Sequence, residues 1–386
     1  MEEAEAKLFI VGDFCSKPST SFISVSDELK ELIQQCDCSI VNFEVPLKPE
    51  KKFPPRSTER FFQNDDAPEF LRGLGFDLFS MANNHVFDWG DEGFYKTKAA
   101  LGDACFGSGT YEEAYRVKEV PIKGKKIGFL ALSYPMYTWA VQDNRDRSGL
   151  GCAYVNDLCV NHIIIEAKKR LDYLFILPHD GMEYVDVPMP ETIARYRDFI
   201  DYGADGVFGA HPHCPQGWEE YNGKPIFYSL GNFFFNSKKD TLYRATNRKH
   251  WYEGRGVFLT IGNEGLRWEI VNTKNIDNIA IEIDHSESSK NHNEIVCEYL
   301  KDRQKYDAIL QPWLDRMVRK DILKMYQTFR PNTVKAAFRV LMQNIHWKIR
   351  GHKDMSKPKS LKICRNDLVR SRVLRFLLDE SNWNKY

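Results

Sequence analysis

Seven short apolar runs, each closed by polar residues, constrain the fold more than any other feature of this chain. They are Lys7–Val11, Cys38–Val41, Phe76–Met81, Lys125–Ser133, Leu171–Leu177, Gly206–Phe208 and Pro225–Leu230. Runs of this length between turn signals read as buried strands. Between many of them the period changes to that of a helix. Ser26 opens a pattern with Leu29, Leu32 and Ile33 on one face, and 67–74, 91–101, 156–170 and 189–202 read as helices, the last stopped by Gly203. Residues 256–272 read as a hairpin turning at Asn263-Glu264-Gly265. Strands alternating with helices predict a layered α/β fold, an α+β sandwich in which the ligand site lies off the carboxyl ends of the strands.

The residues at those ends share one chemistry. Asp13 follows the first run, Glu44 the second and Asn84-His85 the third; His179 follows Leu177, and His211-Pro212-His213 follows Phe208. Residues two apart on an extended chain point the same way, so His211 and His213 can converge on one site. Neutral imidazole suits zinc, manganese or iron. A carboxylate can bridge two divalent ions, and ions ~3.5–4 Å apart clamp a phosphoryl group and activate water. Each residue also has a structural alternative. Asp13 can cap a turn, Glu44 can be an exposed charge, Asn84 can hold a turn and His179 can be a core histidine. A lone His-x-His is weak evidence. The recurrence at successive strand ends points to a metal centre.

Charge divides the chain. Lys+Arg and Asp+Glu both number 54, yet from Lys301 onward there are 21 basic and 8 acidic residues, leaving an acidic body before a basic tail. Residues 284–294 are rich in Ser, Asn, Glu and His. The expected organisation is therefore a main domain over 7–280, a linker over 281–297 and a basic helical extension over 298–386. Within the extension, Thr333–Ile349 places Val334, Phe338, Leu341 and Ile345 on one face, a pattern suited to a membrane surface or an acidic partner. No recognition motif for nucleic acid accompanies the charge. Nine scattered cysteines without a Cys-x-x-Cys point to free thiols in a reducing compartment. The N-terminus lacks the secretory pattern and no apolar stretch approaches the ~20 residues of a membrane span, so the expected location is cytoplasmic, with peripheral membrane contact as a variant. Tyr137, Trp139, Tyr184 and Trp218 are candidates for the wall of a groove.

The ordered motifs Gly12-Asp13, Asn42-x-Glu44, Ala82-Asn83-Asn84-His85 with Asp88 and Gly90, His179-x-Gly181-x-Glu183-Tyr184, Gly209-x-His211-Pro212-His213-x-x-Gln216 and Tyr221-x-Gly223 through Asn232-Phe233 resemble the bacterial capsule-synthesis CapA family. That family includes poly-γ-glutamate synthesis accessory proteins. The resemblance spans about Leu8 to Phe235 and implies a calcineurin-like metallophosphatase fold, four layers with a dinuclear centre. It implies that Asp13 and His213 bind a first metal, that Asn84, His179 and His211 bind a second, and that Glu44 bridges them where metallophosphatases keep an Asp. His85 matches the histidine that protonates the leaving group or steadies the phosphoryl, with Asp88 orienting it. Asn42, Glu183, Tyr184, Gln216 and Asn232 are implied as substrate contacts. Cys15 stands where metallophosphatases usually carry a histidine, so the first site is one ligand short.

The implied cofactors are two divalent ions, Mn, Zn or Fe. The implied activity is a phosphoesterase-type hydrolase of capsule, poly-γ-glutamate or surface-polysaccharide biosynthesis, acting on a phosphorylated or anionic polymer or precursor alongside capsule-synthesis proteins. Two alternatives stay open: hydrolysis of an amide in a γ-glutamyl polymer, and a non-catalytic accessory that scaffolds a synthase complex.

Overall fold

The computed structural model describes residues 5–50, 61–134, 149–236, 250 and 252–314. The chain divides into two compact units, Met1–Arg303 and Gln304–Tyr386. Of the second, residues 304–314 are helical, and the expected amphipathic helix over 333–349 lies outside the described residues, as do Tyr137 and Trp139.

In the first unit the strands are β1 (Ala6–Ser16), β2 (Ser24–Val25), β3 (Cys38–Phe43), β4 (Leu78–Ser80), β5 (Cys105–Phe106), β6 (Ser108–Gly109), β7 (Lys118–Ile122), β8 (Lys125–Ser133) and β9 (Gly151–Cys152). They continue as β10 (Tyr173–His179), β11 (Gly206–Phe208), β12 (Trp218–Tyr221), β13 (Lys224–Phe227), β14 (Asn232–Asn236), β15 (Glu253–Gly262), β16 (Gly265–Ile276) and β17 (Ala280–Ile283). Among the described residues they form one sheet in the order β2-β17-β16-β15-β1-β3-β4-β5, with β14 also paired to β1, a second in the order β12-β13-β11-β10-β8-β7, and a small antiparallel pair of β6 with β9. The strands β1, β3, β4 and β5 run parallel, as do β8, β10, β11 and β13.

The apolar runs are near-continuous because both faces of each sheet are covered. Alternate residues of one strand enter different cores. Leu8, Ile10, Ile40 and Leu78 join Phe129, Phe175, Phe208 and Phe227 between the two sheets. Phe9, Val11, Val41, Phe43 and Phe79 face the other way, against Leu29, Ile33, Leu71, Leu74, Phe94 and Leu101 of the helices Asp27–Gln34, Ala67–Leu74 and Gly90–Leu101. The helices Cys159–Lys168 and Pro190–Asp201 pack on β10 and β11 of the second sheet. The result is the four-layer α/β sandwich that the resemblance implies. Its helix starts follow local chemistry: the Ser26 side chain accepts from Leu29 N, a cap for the first helix. No helix of the described residues is long and apolar enough to cross a membrane.

Residues 281–297 do not form a linker. Ala280–Ile283 is the last strand of the first sheet, and Glu287–Lys301 is a helix. Ser286 caps that helix, and its sparse polar pattern hides a buried face of Ser289, His292 and Val296. Polar composition alone misread a helix that buries polar side chains.

β1 and β14 meet where the site begins, and the approach demands glycine. Asp13 N donates to Gly231 O at 3.1 Å, and a Cβ on Gly12 would sit 1.9 Å from that same oxygen. Gly12→Ala should therefore lower the unfolding free energy by about 1–3 kcal/mol, the usual cost of overpacking. Urea unfolding followed by circular dichroism checks this; an unchanged midpoint would mean the two strands are not in this contact.

Candidate metal centre

Asp13 lies within β1 rather than beyond its end. The register sets it opposite both Asn42 of β3 and Asn232 of β14, with pairing irregularities on either side of it. Such irregularities re-aim side chains at functional edges. Glu44 follows β3, Asn84 and His85 follow β4, and His179 ends β10. His211 and His213 reach the site by a different route from the extended chain expected. Both have left-handed backbones, φ 98° and 56°, a conformation costly for a non-glycine residue and characteristic of functional turns. Their backbone is held by His211 N donating to Asp13 Oδ2 at 3.1 Å, and by Pro212 O accepting from Tyr184 N at 2.8 Å.

The six ligand candidates converge as two groups that share one oxygen. In the first group His179 Nε2 lies 2.9 Å from Asn84 Oδ1 and 3.2 Å from His211 Nδ1. In the second, His213 Nδ1 lies 3.4 Å from Asp13 Oδ2. Glu44 Oε1 stands between them, 3.8 Å from His179 Nε2 and 3.7 Å from His213 Nε2. Donor atoms of Asp13, Glu44 and His213 all lie within 4.8 Å of one another. Glu44 is fully buried, yet neither of its carboxylate oxygens has a hydrogen-bond partner among the described residues. Buried carboxylates are normally paired, hydrogen-bonded or coordinated. Oxygen and imidazole donors around an orphaned carboxylate fit divalent ions of borderline softness.

The electrostatics agree with that fit. Burial pushes the Glu44 carboxyl well above its usual range, and Asp13, Glu183 and Asp88 push it further. Burial also raises Asp13, against the pull of His213 and Asn42. Burial depresses His179 and His211 well below the usual imidazole range and holds His213 at about 4. The imidazoles are thus neutral, the form that ligates. Cys15 contributes no such donor. It is buried with Val45 and Phe235, and burial next to Glu44 keeps its thiol protonated.

His85 Nδ1 and Asp88 Oδ2 are 2.9 Å apart, and the same oxygen accepts from Phe61 N at 2.9 Å. Of the expected substrate contacts, three are engaged with the protein itself. Asn42 Nδ2 donates to Asp13 Oδ1 at 2.6 Å, Asn232 Oδ1 is 2.9 Å from His213 Nδ1, and Gln216 Nε2 donates to Val185 O at 2.7 Å. Asn42 and Asn232 thereby orient ligand candidates, the usual work of outer partners in metal sites, while Gln216 pins a loop. Tyr184 stacks on His213 with ring centroids 6.0 Å apart. Sequence reading missed Gln63. It donates to Phe14 O and Glu44 O and accepts from Ser16 N, clamping the backbones on either side of the site. No motif marks it, because its partners are brought to it only by tertiary structure.

Residues 7–237 match the family model described as bacterial capsule synthesis protein PGA_cap. Among curated relatives, the PGA biosynthesis protein CapA of Bacillus subtilis (strain 168) is 30% identical over 228 residues, covering 55% of this chain and 57% of that protein. The capsule biosynthesis protein CapA of Bacillus anthracis is 27% identical over 206 residues, covering 50% and 49%. The chain spans about half the length of these relatives. A solved phosphatase from Mycoplasma pneumoniae aligns over 70% of this chain and 94% of its own, at 16% identity and a TM-score of 0.40.

Glu44→Gln keeps the volume of the side chain and removes its charge. Because burial raises the folded-state pKa of Glu44, its contribution to stability is present below the unfolded value of about 4.3 and is lost as pH rises through the folded value. In chelator, the variant should therefore gain on wild type in melting temperature as pH is raised from about 4 to 8; with Mn²⁺ the wild type should be the more stable. A wild type that stays ahead in chelator at pH 8 would mean Glu44 is satisfied by the protein alone.

Proposed function

Since this chain belongs to the bacterial capsule synthesis PGA_cap family, we propose that it is a divalent-metal-dependent hydrolase of phosphoesterase type acting in capsule, poly-γ-glutamate or surface-polysaccharide synthesis. The observation that carries this reading is the position of Glu44 Oε1, almost equidistant from His179 Nε2 and His213 Nε2 and without a hydrogen bond among the described residues. Asp13, Glu44 and His213 would hold one ion, and Glu44, Asn84, His179 and His211 a second. When bound, such ions supply Lewis acidity toward a phosphoryl oxygen and lower the pKa of water.

The remaining chemistry belongs to the side chains. Asp88 Oδ2 accepts from His85 Nδ1, which fixes the ring and leaves Nε2 to exchange a proton with a leaving oxygen. Asn42 and Asn232 hold Asp13 and His213 in place. Neutral imidazoles around two carboxylates keep the pocket able to accept an anionic phosphoester or polymer once cations are present. One observation favours a second reading, a non-catalytic accessory that binds an anionic precursor for a synthase: the Cys15 thiol is packed into an apolar cluster and leaves the Asp13–His213 side with few donors.

Metal content and turnover of a chromogenic phosphodiester separate the two. The hydrolase should hold about two equivalents of Mn²⁺, Zn²⁺ or Fe, fewer in Asp13→Ala with His213→Ala. His85→Ala should lower kcat by roughly 10²–10⁴-fold, and adding Asn84→Ala should remove the remainder. Turnover that persists in the Asn84→Ala, His85→Ala protein would sink the assignment, and a metal-loaded wild type with no turnover would favour the accessory.

A further inference from the structure

A second cluster of metal-type donors lies outside the centre described above. His250, just before β15, and His292, on the Glu287–Lys301 helix, stack their rings with centroids 3.6 Å apart and planes 13° from parallel. The Nδ1 atoms of both point at one oxygen: Glu253 Oε2 is 2.8 Å from His250 Nδ1 and 2.7 Å from His292 Nδ1. A carboxylate only accepts, so both Nδ1 atoms carry the hydrogen. Burial pushes the Glu253 carboxyl up, but the bonds from His250 and His292 together outweigh it and hold the group at about 2, ionised.

This arrangement fixes the tautomer of both rings and leaves Nε2 as the ligating nitrogen of each. His292 is 7% exposed, and its Nε2 is buried with no hydrogen-bond partner among the described residues. Donor atoms of His250, His292 and Asp186 lie within 4.8 Å of one another. A carboxylate behind two histidines, a third donor within reach and a buried ring nitrogen lacking a partner among the described residues make the donor set of a zinc-type site; the stacked rings would have to turn apart for both Nε2 lone pairs to meet one ion.

We propose that Asp186, His250 and His292 form a separate binding site for a divalent transition ion such as Zn²⁺, with Glu253 as the positioning carboxylate. Two imidazole nitrogens and one carboxylate oxygen favour a borderline ion over Mg²⁺ or Ca²⁺, which prefer all-oxygen shells. The site fastens three segments that are remote in sequence: the loop after β10, the entry to β15 and the Glu287–Lys301 helix. The same loop carries Tyr184, whose ring covers His213, and its Val185 carbonyl accepts from Gln216. An ion at Asp186 therefore braces one wall of the main centre without belonging to it.

The test is the stoichiometry of Co²⁺ and Zn²⁺ in the full chain, stripped by chelator and reloaded, read by mass spectrometry and by the visible absorption of Co²⁺. His250→Ala should lose one equivalent relative to its parent, both in wild type and in a protein carrying Glu44→Ala with His179→Ala. Asp186→Asn should weaken the same equivalent at least tenfold, and Glu253→Gln by about 10–100-fold. Zn²⁺ should raise the melting temperature of the Glu44→Ala, His179→Ala protein but not after His250→Ala is added. Equal stoichiometry with and without His250→Ala, supported by unchanged affinity in Asp186→Asn, would overturn the proposal. Loss of ions confined to the Glu44 and His179 positions would leave the main centre standing and this one refuted; loss confined to His250 would do the reverse.

Discussion

A carboxyl group deep in the protein, without a hydrogen-bond partner among the described residues, sets the terms for the rest of the structure. Burying a carboxylate costs several kcal/mol unless a countercharge or hydrogen bonds offset it, and among the described residues Glu44 has no hydrogen bond. The sandwich makes this tolerable. Two hydrophobic cores, one between the sheets and one under the helices, hold the strand ends in fixed relation. Gln63 clamps the backbone of Glu44, and Asn42 anchors Asp13. Stability is concentrated in the layers, and the polar edge is held in a geometry that it would not choose alone.

Much of this is readable in the sequence because burial on both sides leaves a plain record. The apolar runs are strands whose alternate residues enter different cores, so the layer order follows from them. Asp13, Glu44, Asn84 and His179 stand out for the same reason, as polar residues where such runs end. What is not readable depends on backbone conformation and distant partners. His211 and His213 look like neighbours on an extended chain, but they approach through left-handed turns. The helix at 287–301 looks like a linker because the face it buries contains Ser289 and His292 rather than leucines. Asn42 and Asn232 look like ligand contacts, yet the register with Asp13 turns them toward the protein.

The two histidine clusters show how one residue type is put to different uses by what stands behind it. Burial keeps the His213 ring weakly basic, and the neutral Asn232 amide behind it offsets only part of that. His250 and His292 instead share the Glu253 carboxylate. The difference lies in the supporting residue, not in the imidazole, and it would give the two places different preferences for cations.

The position of β1 has a consequence for how the polypeptide is made. This first strand is central in its sheet, flanked by β3 along one side and by β15 and β14 along the other. Its partners on that second side come from residues 232–262, near the end of the first unit. A ribosome that has delivered only the early strands has produced half of a sheet with an open hydrophobic edge. Contacts this remote in sequence close slowly, and partly paired sheets are prone to association while they wait. Newly synthesised chains of this protein should therefore remain dependent on chaperones until the segment through β15 has emerged, and the donor atoms around Asp13 come together only at that late stage.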